Sequence, residues 1–162
     1  MLRNRTEDQA AGLRRLLAGP AAQRVVFLSS VSPELKNIVL LNLAAALART
    51  GADVQILDAS PAGSFGICSH ASRAPRKCLW QVAAEGGRHE DAMAEHVTGM
   101  RIARLSASPL RETLQTSADT ERLSAQLKDF CRDASFWLID AGADHEQPFL
   151  LPEIAEAEIV VL

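Results

Sequence analysis

No pair of cysteines in this sequence is spaced to clamp a metal. The three present, Cys68, Cys78 and Cys131, are widely separated, form no C-x-x-C pattern and have no neighbours that complete a zinc site. No metal-ligating set is therefore expected. No stretch is long and apolar enough to cross a bilayer, since the longest, Ile38 to Ala48, is interrupted by Asn42. The N-terminus is polar and basic with no apolar core behind it, which excludes a secretory signal. An odd number of thiols without a leader points to the reducing cytoplasm. An excess of positive charge is lacking too: 17 Lys and Arg against 20 Asp and Glu leave a net charge of -3, so no nucleic-acid surface is expected. His70, His89, His96 and His145 are scattered, and none pairs with a serine or cysteine in a hydrolase pattern. Each reads as a surface histidine, and no catalytic group is assigned.

What is present is a globular composition, 48% apolar and 23% charged over 162 residues, enough for one domain with one core. The first 24 residues stand apart, with Arg3, Arg5, Arg14, Arg15 and Arg24 against only Glu7 and Asp8. This basic end suits either an acidic partner or plain solvation. The chain divides into residues 1–23, a helix and linker, and residues 24–162, an α/β domain. Within the first part, residues 6–18 have helical periodicity. Thr6 and Gln9 are spaced as a capping box, Ala10, Leu13 and Leu17 share a face, and Gly19-Pro20 closes the element.

Val25-Val26-Phe27-Leu28 is a continuous apolar run, as expected of a strand buried on both faces of a parallel sheet. A polar loop over residues 29–36 follows. A helix from Ile38 to Arg49 is apolar nearly all round and is expected to be deeply packed, with Gly51 as its terminal cap. Val54 to Asp58 makes a second strand, and the unit implies a right-handed parallel crossover. Residues 59–77 read as an extended connection. Leu79 to Ala83 begin a helix closed by Gly86-Gly87, with a shorter helix expected from Glu90 to His96. Strands follow at Arg101 to Leu105, Phe136 to Asp140 and Glu158 to Leu162. Between them lie a loop over residues 107–117, a helix near 118–132 and a short helix at 152–157. Trp80 and Trp137 are assigned to the core. Alternating strands and helices give an α/β, doubly wound, mostly parallel sheet flanked by helices. The chain stops inside an apolar strand, and the expectation is that a C-terminal part of the fold lies beyond it.

The segment from Ser30 to Asn37 lies between the first strand and its helix, where a phosphate-binding G-x-x-x-x-G-K-[ST] loop belongs. Lys36 is in register. Ser30 stands for the first glycine, Leu35 for the second, and Asn37 for the magnesium-binding hydroxyl residue. Leu35 puts a side chain where the backbone must approach phosphate. Pro33 deletes an N–H from a loop that works by aiming N–H groups at an anion. Glu34 sets a negative charge beside the expected phosphates. Leu35, Pro33, Glu34 and Asn37 together argue against tight ATP binding, so no cofactor is assigned, with ATP and Mg2+ as the one candidate pair. An ordinary strand-to-helix loop starting with a lysine is the plainer reading.

The helix reads L41-N42-L43-A44-A45-A46-L47-A48, and strand ends read L57-D58-A59-S60 and L138-I139-D140-A141-G142-A143. With A155-E156-A157-E158-I159-V160-V161-L162, these resemble the MinD/ParA group of deviant P-loop ATPases from about residue 24 onward, weakly in the middle third. The resemblance implies a P-loop NTPase-like fold, with Lys36 at the P-loop lysine, Asn37 beside it, Asp58 at the first strand-end aspartate and Asp140 at the Walker B position. These four are the candidate nucleotide-binding residues. Val31 falls at the group's signature lysine, which crosses a dimer to the partner's nucleotide, and Ser60 replaces the aspartate that positions the attacking water. A degenerate ATPase homologue follows, leaning to a non-enzyme.

The N-terminal D8-Q9-A10-A11-G12-L13-R14-R15-L16 is similar to the D-Q-A-x-x-L-R element of flagellar number regulators of the FlhG/FleN (YlxH) type. In that family the element docks on the flagellar SRP-type GTPase FlhF and stimulates it. The resemblance implies that Gln9 approaches the partner's nucleotide site, Asp8 and Arg14 make polar contacts, and Ala10 and Leu13 sit at the contact. A helix this short is marginal alone and suits ordering on a partner. The implied function is a non-catalytic regulator of flagellar number or placement, cytoplasmic and polar with its partner. It would meet basal-body components and reach the membrane only indirectly. The alternatives are a weak MinD/ParA-type ATPase using Lys36, Asp58 and Asp140, or a MinD-like scaffold for another membrane machine such as cellulose secretion.

Overall fold

A computed structural model describes residues 22–28, 31–60, 67–71, 75–96, 98–142, 151–155 and 157–161. The expected N-terminal helix, with Asp8, Gln9, Ala10, Leu13 and Arg14, lies outside the described residues, as do Ser30 and His145. Six strands form one sheet: β1 (Gln23–Leu28), β2 (Val54–Asp58), β3 (Met93–Glu95), β4 (Arg101–Arg104), β5 (Phe136–Gly142) and β6 (Glu158–Val161), in the order β3-β4-β2-β5-β1-β6. All neighbours run parallel except β3 and β4, which are antiparallel. The helices are α1 (Pro33–Arg49), α2 (Leu79–Glu85), α3 (Leu110–Thr113), α4 (Ser117–Cys131) and α5 (Pro152–Ala155), with single 3-10 turns at Ile67–His70 and His89–Ala92. The α/β class and five expected strands stand, with ends moved by a residue or two.

Alternation along each strand divides the core in two. Val26, Leu57, Trp137, Ile139 and Ala141 face one layer with Leu79 and Val82 of α2, Leu123, Leu127 and Phe130 of α4, and Ile154 of α5. Phe27, Val54, Ile56, Ile102 and Leu138 face the other, with Leu40 and Ala44 of α1 and Ile67 and Cys68 of the first 3-10 turn. Trp137 is a core residue as expected, and Trp80 packs half-buried against the first cluster. Gly86 takes φ 71 and Gly51 φ 87, so both expected helix-closing glycines use the left-handed backbone that lacks a Cβ penalty.

Five expectations are corrected. Helix α1 starts at Pro33, five residues before Ile38, because Ser32 is its N-cap and Pro33 suits the first turn. It is also not buried all round: Leu35, Ile38, Val39 and Leu43 are exposed, since only one side of the helix meets the sheet. The short helix expected from Glu90 to His96 is a 3-10 turn followed by β3, whose backbone pairs Met93, Ala94 and Glu95 with Ala103, Ile102 and Arg101. Three residues are too few for a strand period to register. The loop expected over residues 107–117 contains the one-turn helix α3, seeded by Pro109 and held by buried Leu110. The expected extended connection contains the turn at Ile67–His70, drawn in by burial of Ile67 and Cys68.

Candidate functional site

The face that α1 covers also collects the charged candidates. Asp58 shares its side of β2 with Val54 and Ile56, and Asp140 shares its side of β5 with Leu138, so both carboxylates emerge beneath α1. The two aspartates are register partners at the C-terminal strand ends, where open α/β sheets place their sites. Lys36, in the second turn of α1, reaches down to them. Its Nζ donates to Asp140 Oδ1 within a fully enclosed pair, the two side chains being 3% and 0% exposed. Asn37 is buried beside it. The four residues expected from the sequence to form a nucleotide site are thus brought to one place.

Asp58 is held by Ser60, Cys68 and Arg104, contacts the sequence reading did not assign to it. Its Oδ1 accepts from the Ser60 hydroxyl and from the Ser60 backbone N–H at 3.2 Å. Its Oδ2 accepts from the Cys68 N–H at 3.3 Å, and Arg104 Nε stands 3.9 Å away. Burial, with the Asp58 carboxylate as a second cause, pushes the Cys68 thiol well above its usual range. An aspartate followed two residues later by serine after a strand is a turn signal that foreshadows the Ser60 contact. Arg104 carried no such signal. It sits opposite Asp58 through the register of β2 and β4. Beside it opens a cavity of about 280 Å³ bordered by Cys68, Arg76, Lys77, Cys78 and Gln81.

Two of the first four amides of α1 are out of a ligand's reach. A helix begins with four N–H groups lacking intrahelical partners, and these make an anion site when left open. Here the first helical residue, Pro33, has no N–H. The Leu35 N–H donates to Ser32 Oγ at 3.4 Å, and the Lys36 N–H donates to Ser32 O at 3.1 Å. The Glu34 carboxyl is held below its ordinary range, first by the backbone N–H of Glu34 itself and then by the Ser32 hydroxyl. A carboxylate of the chain therefore sits where the helix end favours negative charge.

Among the described residues no group of three or more His, Cys, Asp or Glu could hold a metal ion. His96 Nδ1 stays local, 2.9 Å from Thr98 Oγ1. None of the described helices is long and apolar enough to cross a membrane.

No protein-family model and no curated protein matches the chain in sequence. Solved structures do match in shape. A cobyrinic acid a,c-diamide synthase from Mycobacterium smegmatis, solved with an ATP analogue and magnesium, superposes with TM-score 0.66 at 16% identity, over 87% of this chain and 59% of that one. A ParA family ATPase from Chlorobium tepidum TLS gives 0.59 at 16% identity, over 87% and 60%. The BceF tyrosine kinase domain gives 0.55 at 21% identity, over 74% and 47%. The chain thus spans less than two thirds of the length of each. At these identities the likeness is one of fold.

Proposed function

We propose, starting from a fold shared with ParA-type ATPases, that this chain acts by binding a partner and that its phosphate loop is degenerate. The observation that carries the reading is the buried Lys36–Asp140 pair beneath the start of α1. Pro33 removes one of the first amides, Ser32 Oγ takes up that of Leu35, and Lys36 is engaged by Asp140. A triphosphate would have to approach the Glu34 carboxylate, of like charge, and draw Lys36 out of a buried pair. ATP with magnesium therefore fits these residues poorly, and no hydrolytic step is assigned to them. The domain serves instead as a rigid base for the N-terminal segment.

For that segment the D-Q-A-x-x-L-R pattern at Asp8, Gln9, Ala10, Leu13 and Arg14 supports a flagellar SRP-type GTPase as partner, with flagellar number or placement as the outcome. The test is the GTP hydrolysis rate of such a GTPase with the full chain, with a peptide of residues 1–24, and with the Gln9→Ala chain. Stimulation by the first two and its loss in the third is expected. Full stimulation by a chain lacking the first 21 residues would overturn the assignment.

One observation favours a second reading. Lys36, Asp58 and Asp140 converge at the strand ends, as a weak ATPase would need. Phosphate release from ATP, abolished by Lys36→Ala, would support the enzyme. Release indistinguishable from buffer is expected here.

A further inference from the structure

The exposed apolar residues of α1 form a stripe. Leu35, Ile38, Val39 and Leu43 are 50%, 56%, 39% and 38% exposed, and Ala46 continues the line half-buried. Positions 35, 38, 39, 42, 43 and 46 recur at three- and four-residue steps, one face of a helix over more than two turns. No charged residue interrupts it. The single polar member is Asn42, whose Nδ2 donates to Ile38 O at 2.8 Å. The only exposed charges on the whole helix are Glu34 in its first turn and Arg49 in its last. At about 100° per residue, the fifteen steps from one to the other leave them roughly 60° apart on the same side of the stripe's midline, Glu34 just outside its edge and Arg49 within its sector beyond Ala46.

We infer that this stripe is the contact between two copies of the chain, with the two α1 helices antiparallel about a two-fold axis near Asn42. A two-fold contact must be self-complementary, and the stripe has the charge pattern that allows it. Setting Glu34 against Arg49 of the second copy, and the reverse, puts the axis midway between residues 41 and 42. Leu35, Ile38, Val39 and Leu43 then lie along the contact on both sides of it. Asn42 falls at the axis, where a polar residue meeting its own copy fixes register. Parallel pairing would instead oppose Glu34 to Glu34 and Arg49 to Arg49. A membrane surface fits less well, because helices that lie on lipid carry lysine and arginine along their flanks and this one has a single exposed arginine. The contact needs no nucleotide, since none of these side chains belongs to the Lys36–Asp140 pair. A helix of 17 residues is about 25 Å long, which makes a small interface and a dimer that dissociates in the micromolar range.

The test is sedimentation equilibrium of the full chain across that range, with and without ATP and magnesium, and co-sedimentation with anionic vesicles. A monomer–dimer equilibrium indifferent to nucleotide is expected. Ile38→Glu should weaken it at least tenfold while leaving the thermal midpoint nearly unchanged, since Ile38 touches solvent. Glu34→Arg and Arg49→Glu should each weaken it, and the two together should restore it. A monomer throughout, a dimer that forms only with ATP, a dimer indifferent to Ile38→Glu, a monomer that pellets with vesicles, or charge reversals that fail to compensate would each overturn the inference.

Discussion

The two helical layers bury their inner sides alike and differ in what they show to solvent. Helix α4 turns Leu123, Leu127 and Phe130 to the sheet and leaves Glu121, Arg122 and Lys128 outside. Helix α1 turns Leu40 and Ala44 inward and presents Leu35, Ile38, Val39 and Leu43 outward. The inner residues follow from the demand for a core, which any sheet imposes. The outer residues follow from what else the layer meets, and only α1 carries an apolar answer. The helix starts make a similar pair. At α4, Thr116 and Asp119 close a reciprocal capping box, with Asp119 N–H donating to Thr116 Oγ1 at 3.2 Å and Thr116 N–H to Asp119 Oδ2 at 3.0 Å. At α1 the cap is one-sided: Ser32 Oγ accepts from the Leu35 N–H at 3.4 Å, and the Leu35 side chain cannot return the bond.

If the inner sides are equivalent, truncating either should hurt comparably and severely. Phe130→Ala is expected to cost about 3–5 kcal/mol and Leu40→Ala about 2–5 kcal/mol in denaturant unfolding. A cost below about 1 kcal/mol at Leu40 would mean that α1 is not seated on the sheet. Next comes the charged pair that only the α1 layer encloses. Lys36→Ala leaves the buried Asp140 carboxylate without its lysine and should cost about 3–5 kcal/mol, whereas Lys36→Met combined with Asp140→Leu should recover most of it.

The caps come third. Thr116→Ala should cost about 1 kcal/mol. The Asp119 carboxyl is lowered first by the Thr116 hydroxyl and then by backbone N–H groups. Its contribution is therefore complete above the unfolded carboxyl range and fades as pH falls through the lower folded value. Thr116→Ala should flatten that acid limb in a pH series of melting temperatures. The smallest effect belongs to the outer face: Ile38→Ala should change monomer stability by less than about 0.5 kcal/mol. A large loss at Ile38 would erase the distinction between the faces of α1.

Much of this was legible in the sequence because it rests on local signals. The apolar runs at Val25–Leu28 and Val54–Leu57 mark strands buried on both sides, and Gly51 and Gly86 mark helix ends by backbone freedom alone. Lys36, Asp58 and Asp140 stood out by motif, and strand alternation then brings them together. The outward face of α1 was misread because an all-apolar helix gives no periodicity to show which side meets the sheet. Strand β3 was missed because its stability comes from pairing with β4, three residues against three. Arg104 was missed because its approach to Asp58 depends on the register between two strands. The place of Glu34 in the first turn depends on Ser32 taking the N-cap, which fixes where that turn begins.

The central claim is that Lys36 is locked to Asp140 beneath a helix start with few amides to offer, and so does not serve a nucleotide. Titrating MgATP into the full chain in a calorimeter tests it most directly, with Glu34→Ala and Lys36→Ala run alongside. The account predicts no heat of binding from the wild-type chain at millimolar nucleotide. Micromolar affinity in the wild type, lost on Lys36→Ala, would contradict it.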